Sequence, residues 1–397
     1  MRFSSLLDEI PPYPFPVINK LVKEMRGQGI DVIRATIGSP DREAPQKVKN
    51  AMSGFVRRAG STQDYPIDKY DDRGIPKLIE AIIEDYREKH GVELKPENIA
   101  VTDWTKPHLM DLAELFAAGT MLLPDPVYPA YMGGVVLSHH DKKIVKTSEE
   151  TGWLPRFEFT DDDVAFYHCD PNNPTGSVGS MDHYMDLQSR ITAQKNKGKD
   201  VGGIFDKPYK DFVFDAETKP VSITQVPGLM EDGFEVVSYS KHNNFVGIGL
   251  GWIVSSEDNI NRWLKYYGKK YQGVEWYKQM AGIVALRDPD AREEIEGYMS
   301  ELKERRDVLV EGLNSVGIEA KPPKATPYVW FKVPEAYNDE EFVKDVLLKE
   351  AHVAFMPGSY FGESGKGYAR ATLYIPTDRI EEGINRIAKT RADLQTW

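Results

Sequence analysis

The chain has 397 residues, 41% hydrophobic and 28% charged, a length that calls for one large and one smaller domain rather than a single core. A net charge of −12 argues against nucleic acid as a partner, because nothing would offset repulsion from phosphates. No apolar run is long enough to span a bilayer, and a single cysteine, Cys169, excludes a disulfide framework or a multi-cysteine zinc site.

From the N-terminus, MRFSSLLDEIPPYPFP is interrupted by acids and prolines too early to hold a signal-peptide core, so a cytoplasmic protein with a small-molecule ligand is expected. Short apolar runs then recur at IAVTDW (99–104), TMLLPDP (120–126), VAFYHCDP (164–171), VGGIFDKPY (201–209), EVVSYSK (235–241) and GWIVSS (251–256). Continuous apolar strands of this kind suit a mainly parallel sheet covered on both faces, whose ligands bind beyond the carboxyl ends of the strands. Asp103, Asn173, Asp206 and Lys241 stand at such ends. His139 and His140 are adjacent but have no evident third ligand, so no metal site is expected. After about residue 285 the pattern changes. In EEIEGYMSELKERRDVLVEGLNSVG, Ile295, Met299, Leu302, Leu309 and Leu313 fall at spacings of three, four or seven, the mark of an amphipathic helix. TPYVWFKVP reads as a strand, EEFVKDVLLKEAHV as a helix, and VAFMPGSYFG and YARATLYIP as the last sheet signals. The expected division is an N-terminal arm and part of a small domain (1–45), a large α/β domain (46–284) and a C-terminal small α/β domain (285–397).

The stretch SYSKHNNFVGIGLGW (238–252) decides the chemistry. Its glycines follow the lysine, and it matches neither G-x-x-x-x-G-K-[ST] nor G-x-G-x-x-G, so a nucleotide loop is excluded. Lys241 instead stands at a strand end among small residues, where a lysine can lose its proton and form a Schiff base with an aldehyde. Pyridoxal phosphate is such an aldehyde, and it sets further requirements: a carboxylate for its ring nitrogen, donors for its ring oxygen and an anion site for its phosphate. FDKPY supplies Asp206 and Tyr209, and PNNPTG supplies Asn173. Ser238, Ser240 and the amides of a helix start near Thr105 and Lys106 supply phosphate donors, and Tyr128 in PDPVYPAY supplies a ring to stack on the pyridine. Each piece is commonplace alone; their co-occurrence in this order carries the reading.

The whole set resembles the class I/II aminotransferase family of fold-type I pyridoxal-phosphate enzymes. The matching pieces are IGSPD (37–41), PDPVYPAY (124–131), PNNPTG (171–176), DKPY (206–209), SYSK (238–241), PGSYFG (357–362) and YARATLY (368–374), in the family's order over nearly the whole chain. PPYPF, DYP (64–66), TGWLP (151–155) and VPGL (226–229) further resemble the LL-diaminopimelate aminotransferase subgroup. The resemblance implies a homodimer that moves an amino group from an amino acid to a 2-oxo acid. It implies Lys241 as the Schiff-base lysine and proton carrier, Asp206 on the pyridinium nitrogen, Tyr209 and Asn173 on the ring oxygen, and Tyr128 stacked on the ring. Ser238, Ser240, Thr105 and Lys106 would hold the phosphate, Tyr65 would reach in from a second subunit, Arg370 would grip the substrate carboxylate, and Gly38 would let the chain pass close to substrate.

Three departures stand against that pattern. Gly249 occupies the position of an arginine that the family places eight residues after its lysine. A hydrogen bond to a charged group contributes about 1.5–3 kcal/mol, so its loss is worth about tenfold to over a hundredfold in affinity. Lys106 or His242 are the candidates to replace it, or a charge on the substrate. Trp104 stands where relatives carry a glycine before the phosphate-binding helix, with Pro107 in that helix's first turn. FAAGTMLLPDP lacks the usual PGD turn. Two alternatives therefore stay open: the same cofactor used for elimination, decarboxylation, cyclisation or oxidation, and a cofactor-poor binding or regulatory homologue.

Overall fold

The computed structural model describes residues 1, 4–10, 12–58 and 73–394. After a two-residue strand, β1 (Ile33–Arg34), seven strands build the central sheet: β2 (Ile99–Thr102), β3 (Thr120–Asp125), β4 (Asp141–Lys146), β5 (Asp163–Cys169), β6 (Gly202–Lys207), β7 (Gly233–Ser238) and β8 (Gly251–Val254). Their spatial order is β2-β8-β7-β6-β5-β3-β4, and only β8 runs against the rest. The carboxyl ends of β2, β3, β5, β6 and β7 therefore share one edge.

Period-2 alternation divides the apolar residues of these strands between two cores. Ala100, Val236 and Ile253 pack with Leu109 and Leu112 on one face, whereas Val101, Val237 and Trp252 pack with Leu78, Ile82 and Tyr86 on the other. Burial on both faces explains why these strands read as continuous apolar runs. Each run expected from sequence is trimmed at its carboxyl end, so Asp103, Asn173 and Lys241 lie on the loops that follow their strands, while Asp206 stays inside β6. β4 was not expected. Its residues, DKKIVK, alternate between exposed and half-buried at the sheet's edge, where charged side chains guard against unwanted pairing, and that charge hides the strand.

The other sheets come from both ends of the chain. β9 (Tyr328–Lys332), β10 (Val353–Ala354), β11 (Met356–Pro357) and β12 (Tyr368–Thr372) complete the strands. β11, β12 and β9 form an antiparallel sheet, and β1 pairs with β10 in parallel, which stitches the N-terminal segment against C-terminal elements. Two expectations need correction here. The long helix covers Pro289–Ser315, starting earlier than the apolar spacing indicates because the Asp288 carboxylate caps the amides of Asp290 and Ala291 (3.0 and 3.1 Å). The stretch expected as a plain helix over 340–353 has one α-helical turn at Asp339–Glu341, then a π-helix over Phe342–Glu350, and its last residue, Val353, belongs to β10.

Candidate active site

A cavity of about 480 Å³ opens at the carboxyl edge of the central sheet. Lys241, Ser238 and Ser240 reach it from the end of β7, Asp206 from β6, Tyr209 from the turn after β6, and Asn173 from the loop after β5. Thr105 and Lys106 enter at the start of a helix, Lys106–Ala113, that follows β2, and Tyr128 from the loop after β3. The far wall is Gly38, beyond β1, and Arg370 in β12. Topology therefore brings together every site residue expected from sequence except Tyr65, which lies outside the described residues. Asp103 is not among the cavity residues: its carboxylate turns to the buried ring of His108 (3.0 Å). His242 also lies elsewhere. It faces a second cavity with Lys89, Lys210 and Asp211, where burial lowers its pKa to about 4, so it cannot stand in for a cation beside Ser238.

Asp206 is 4% exposed. Alternation in β6 sends it into the cavity and its neighbour Lys207 to the opposite face, onto Asp170 (3.1 Å). One carboxylate oxygen, Oδ2, accepts a hydrogen bond from the Tyr131 hydroxyl at 2.5 Å; the other, Oδ1, is buried without a partner. Burial pushes the carboxyl pKa up to about 7, against the pull of the Tyr131 hydroxyl and the ammoniums of Lys207 and Lys241. Tyr131 is a site residue that the sequence did not reveal. It is held in turn by a parallel stack on Tyr167, ring centroids 4.6 Å apart.

Arg370 is 2% exposed, and among the described residues no carboxylate reaches it. Its Nη1 donates to Asn173 Oδ1 (2.7 Å) and its Nη2 to the Thr36 carbonyl (3.3 Å), while Nε is buried without a partner. Three rings cradle the guanidinium: Tyr328, Phe361 and Phe15 at 4.1, 4.7 and 5.6 Å. A cation so desolvated and without counter-ion is costly, and its pKa is lowered by burial. Tyr328, also not foreseen, does more than face Arg370. Its hydroxyl pairs with that of Tyr209 (3.1 Å), and it lies so close to Gly38 that a Cβ there would overlap it.

Lys241 donates to the carbonyl oxygen of Gly38, which ties the reactive loop to the segment after β1. That segment is anchored at Asp41 by Arg305 of the long helix (2.8 Å). The Tyr128 hydroxyl meets that of Tyr13 (3.2 Å), and the Tyr13 ring carries the Lys106 ammonium at 4.9 Å. Ser238 Oγ accepts from the Ser240 amide (3.1 Å). The N-terminal residues Tyr13 and Phe15 thus line the cavity, a contribution that their proline-rich context concealed.

The chain belongs to the aminotransferase class I and II family, whose model matches residues 30–387. It is 33% identical to the LL-diaminopimelate aminotransferase of Halothermothrix orenii, over 98% of each chain. Among solved structures it is similar to an aromatic aminotransferase of Pyrococcus horikoshii, 26% identical with a TM-score of 0.81 over 95% of this chain and 100% of the other. A single mutant of the Thermus thermophilus aspartate aminotransferase, 23% identical, shares the fold with a TM-score of 0.87 over 98% of this chain and 100% of that one. The protein is a fold-type I, pyridoxal-phosphate-dependent aminotransferase that transfers an amino group between an amino acid and a 2-oxo acid. The residues present fit that cofactor. The partnerless Oδ1 of Asp206 would accept a pyridinium N–H, and the Lys241 amine, the serines and the helix start open on the same cavity.

Proposed function

We propose that amino transfer at this site uses Lys241 as the amine that holds the cofactor and then carries the proton between carbon atoms, with Arg370 as the carboxylate clamp. The observation that carries this reading is the buried guanidinium of Arg370, which no carboxylate of the described chain balances. A substrate carboxylate supplies the missing charge and the acceptor for the partnerless Nε. Pyridoxal phosphate, when bound, supplies the electron sink for the α-carbon. Asp206 keeps the ring nitrogen protonated, Tyr209 and Asn173 hold the ring oxygen, and Tyr128 covers the ring. Ser238, Ser240, Thr105 and Lys106 hold the phosphate. The Gly38 carbonyl holds the lysine amine in the cavity that Arg370 also lines.

The substrate carries a second carboxylate. Arg34 lines the same cavity, bonded through Nε to Thr36 Oγ1 (3.1 Å) and through Nη2 to Asn19 Oδ1 (2.7 Å), and again no carboxylate of the described residues pairs with it. Thr36 thus sits between two guanidiniums, one on its hydroxyl and one on its carbonyl. The LL-diaminopimelate aminotransferases among its relatives support the same class of substrate. The working unit is a cytoplasmic homodimer, as the family resemblance implies, which light scattering of the holoenzyme and cell fractionation would check. The deciding experiment is a half-reaction screen that follows the absorbance of the bound cofactor against amino acids with and without a distal carboxylate. Arg34→Gln should raise KM for the dicarboxylic substrates alone. Equal rates with purely apolar amino acids, unchanged by R34Q, would exclude the second-carboxylate assignment, and undiminished amino transfer in Lys241→Ala or Arg370→Gln would exclude Lys241 and Arg370 in these roles.

A further inference from the structure

Two of the departures from the family pattern, Trp104 and Gly249, meet in space. A Cβ built on Gly249 would overlap Cε2, Cδ2 and Nε1 of the Trp104 indole, so no side chain fits at 249 while the ring stays where it is. Both residues have left-handed backbones, φ 47° at Trp104 and 69° at Gly249. Glycine adopts that conformation freely, whereas a bulky residue holds it only when its surroundings compensate. At 249 the chain keeps glycine; at 104 it accepts tryptophan. The indole lines the cavity beside Thr105, Lys106, Ser238 and Ser240, and its Nε1–H has no partner among the described residues.

We propose that Trp104 and Gly249 are one device, in which the indole fills the space of a side chain at 249 and forms a neutral wall at the phosphate end of the cofactor site. Charge balance there falls to Lys106, which no carboxylate of the described residues pairs and which is steadied by the Tyr13 ring. The two positions are therefore coupled: a cation at 249 is useful only when the indole is gone. This rests on the placement of the phosphate at Ser238, Ser240 and Thr105.

The test is a double-mutant cycle on cofactor affinity, read by equilibrium dialysis against the apo-protein. The proteins are wild type, Trp104→Gly, Gly249→Arg and the double variant; the probes are pyridoxal phosphate and pyridoxal, which lacks the phosphate. Each single variant should weaken pyridoxal phosphate binding, and the double variant should recover at least about tenfold relative to the product of the two single losses, within the range of coupling between touching residues. Indole emission, compared with that of Trp104→Phe, should show Trp104, already 37% exposed in the wild type, moved further into solvent in G249R. Additive effects, or tighter binding in G249R alone, would overturn the coupling. If G249R fails to fold, melting temperatures carry the same cycle: rescue by W104G supports the proposal, and failure to rescue overturns it. Coupling that is equal for pyridoxal and pyridoxal phosphate would instead remove the phosphate from this wall and refute the placement on which the inference rests.

Discussion

Replacing Asp206 by asparagine should make the apo-enzyme more stable at neutral pH and the holo-enzyme less so. In the folded apo-protein the Asp206 carboxyl titrates at about 7 instead of 3.8, mainly through burial. At about 1.36 kcal/mol per unit, ionising it there costs roughly 4 kcal/mol relative to the unfolded chain. The asparagine removes that cost and keeps an acceptor for the Tyr131 hydroxyl. It also places an amide N–H₂ where Oδ1 now lacks a partner, which costs about 1–3 kcal/mol. The net gain is about 1–3 kcal/mol. The sign follows from proton counts. Between about pH 4 and pH 7 the folded state retains a proton that the unfolded chain has released, so the wild-type apo-protein loses stability as pH rises through that window, whereas D206N does not. Thermal melts of both apo-proteins across this range should show D206N less stable by about 1–3 kcal/mol at the acid end, the difference changing sign as pH rises and constant above about pH 7. Titratable groups common to both proteins cancel in the difference. With pyridoxal phosphate present the order should reverse, because only the carboxylate regains a charged partner. An apo-D206N that is less stable than wild type at about pH 8, or a gap that does not vary with pH, would refute the argument.

Other perturbations act on the same web of contacts. Arg370→Lys loses the two-pronged grip between Asn173 and Thr36, so kcat/KM should fall about 10- to 150-fold, for about 1.5–3 kcal/mol, with cofactor affinity unchanged; steady-state kinetics beside cofactor titration checks both. Tyr131→Phe removes the hydroxyl that holds Asp206 ionised, so cofactor binding should weaken at neutral pH and its pH dependence should shift upward, as read by dialysis at a series of pH values. Gly38→Ala drives a methyl into the Tyr328 hydroxyl, which should cost about 1–3 kcal/mol in a denaturant melt and raise KM, because Tyr328 also faces Arg370 and Tyr209.

What the sequence made legible follows physical category. Lys241, Asp206, Asn173 and Arg370 stood out because a charged or amide side chain at the end of an apolar run has no structural reason to be there. Tyr131 and Tyr328 did not stand out. An aromatic residue in a helix or strand reads as core, and both are indeed almost wholly buried, at 0% and 2% exposed. Only the partner each hydroxyl finds, Asp206 for one and Tyr209 for the other, turns them into site residues. The same limit hid the N-terminal contribution to the cavity, since nothing in PPYPF says that Tyr13 will meet Tyr128 across 115 residues of chain. In the fold, burial on both faces gave the central strands a signature, while β4, charged and at an edge, had none. The meeting of Trp104 and Gly249 shows the limit most clearly: each was visible as an oddity, and only the structure shows that the two touch.

The charges of the site differ from those beside them in one respect that bears on mechanism. Lys207 and Lys210 are as buried as Asp206, yet Lys207 meets Asp170 (3.1 Å) and Lys210 meets Asp85 and Asp211 (2.9 and 3.0 Å). Such pairs satisfy themselves within the fold. Asp206 and Arg370 do not, although each is next door in sequence or space to residues that do. A buried charge without its partner costs several kcal/mol, and a ligand that supplies the partner recovers that energy as affinity. On the proposed assignment, the pyridinium and the substrate carboxylate would be bound most strongly at the two points where the fold alone is least content. At the phosphate end the described chain keeps no buried charge waiting; a neutral indole stands at the wall and Lys106 at the rim. Cofactor affinity in this enzyme should therefore depend on Asp206 more steeply than on any single group at the phosphate. Titrations of D206N and of Lys106→Ala with pyridoxal phosphate should show the larger loss for D206N, and the opposite order would place the dominant anchor at the phosphate after all.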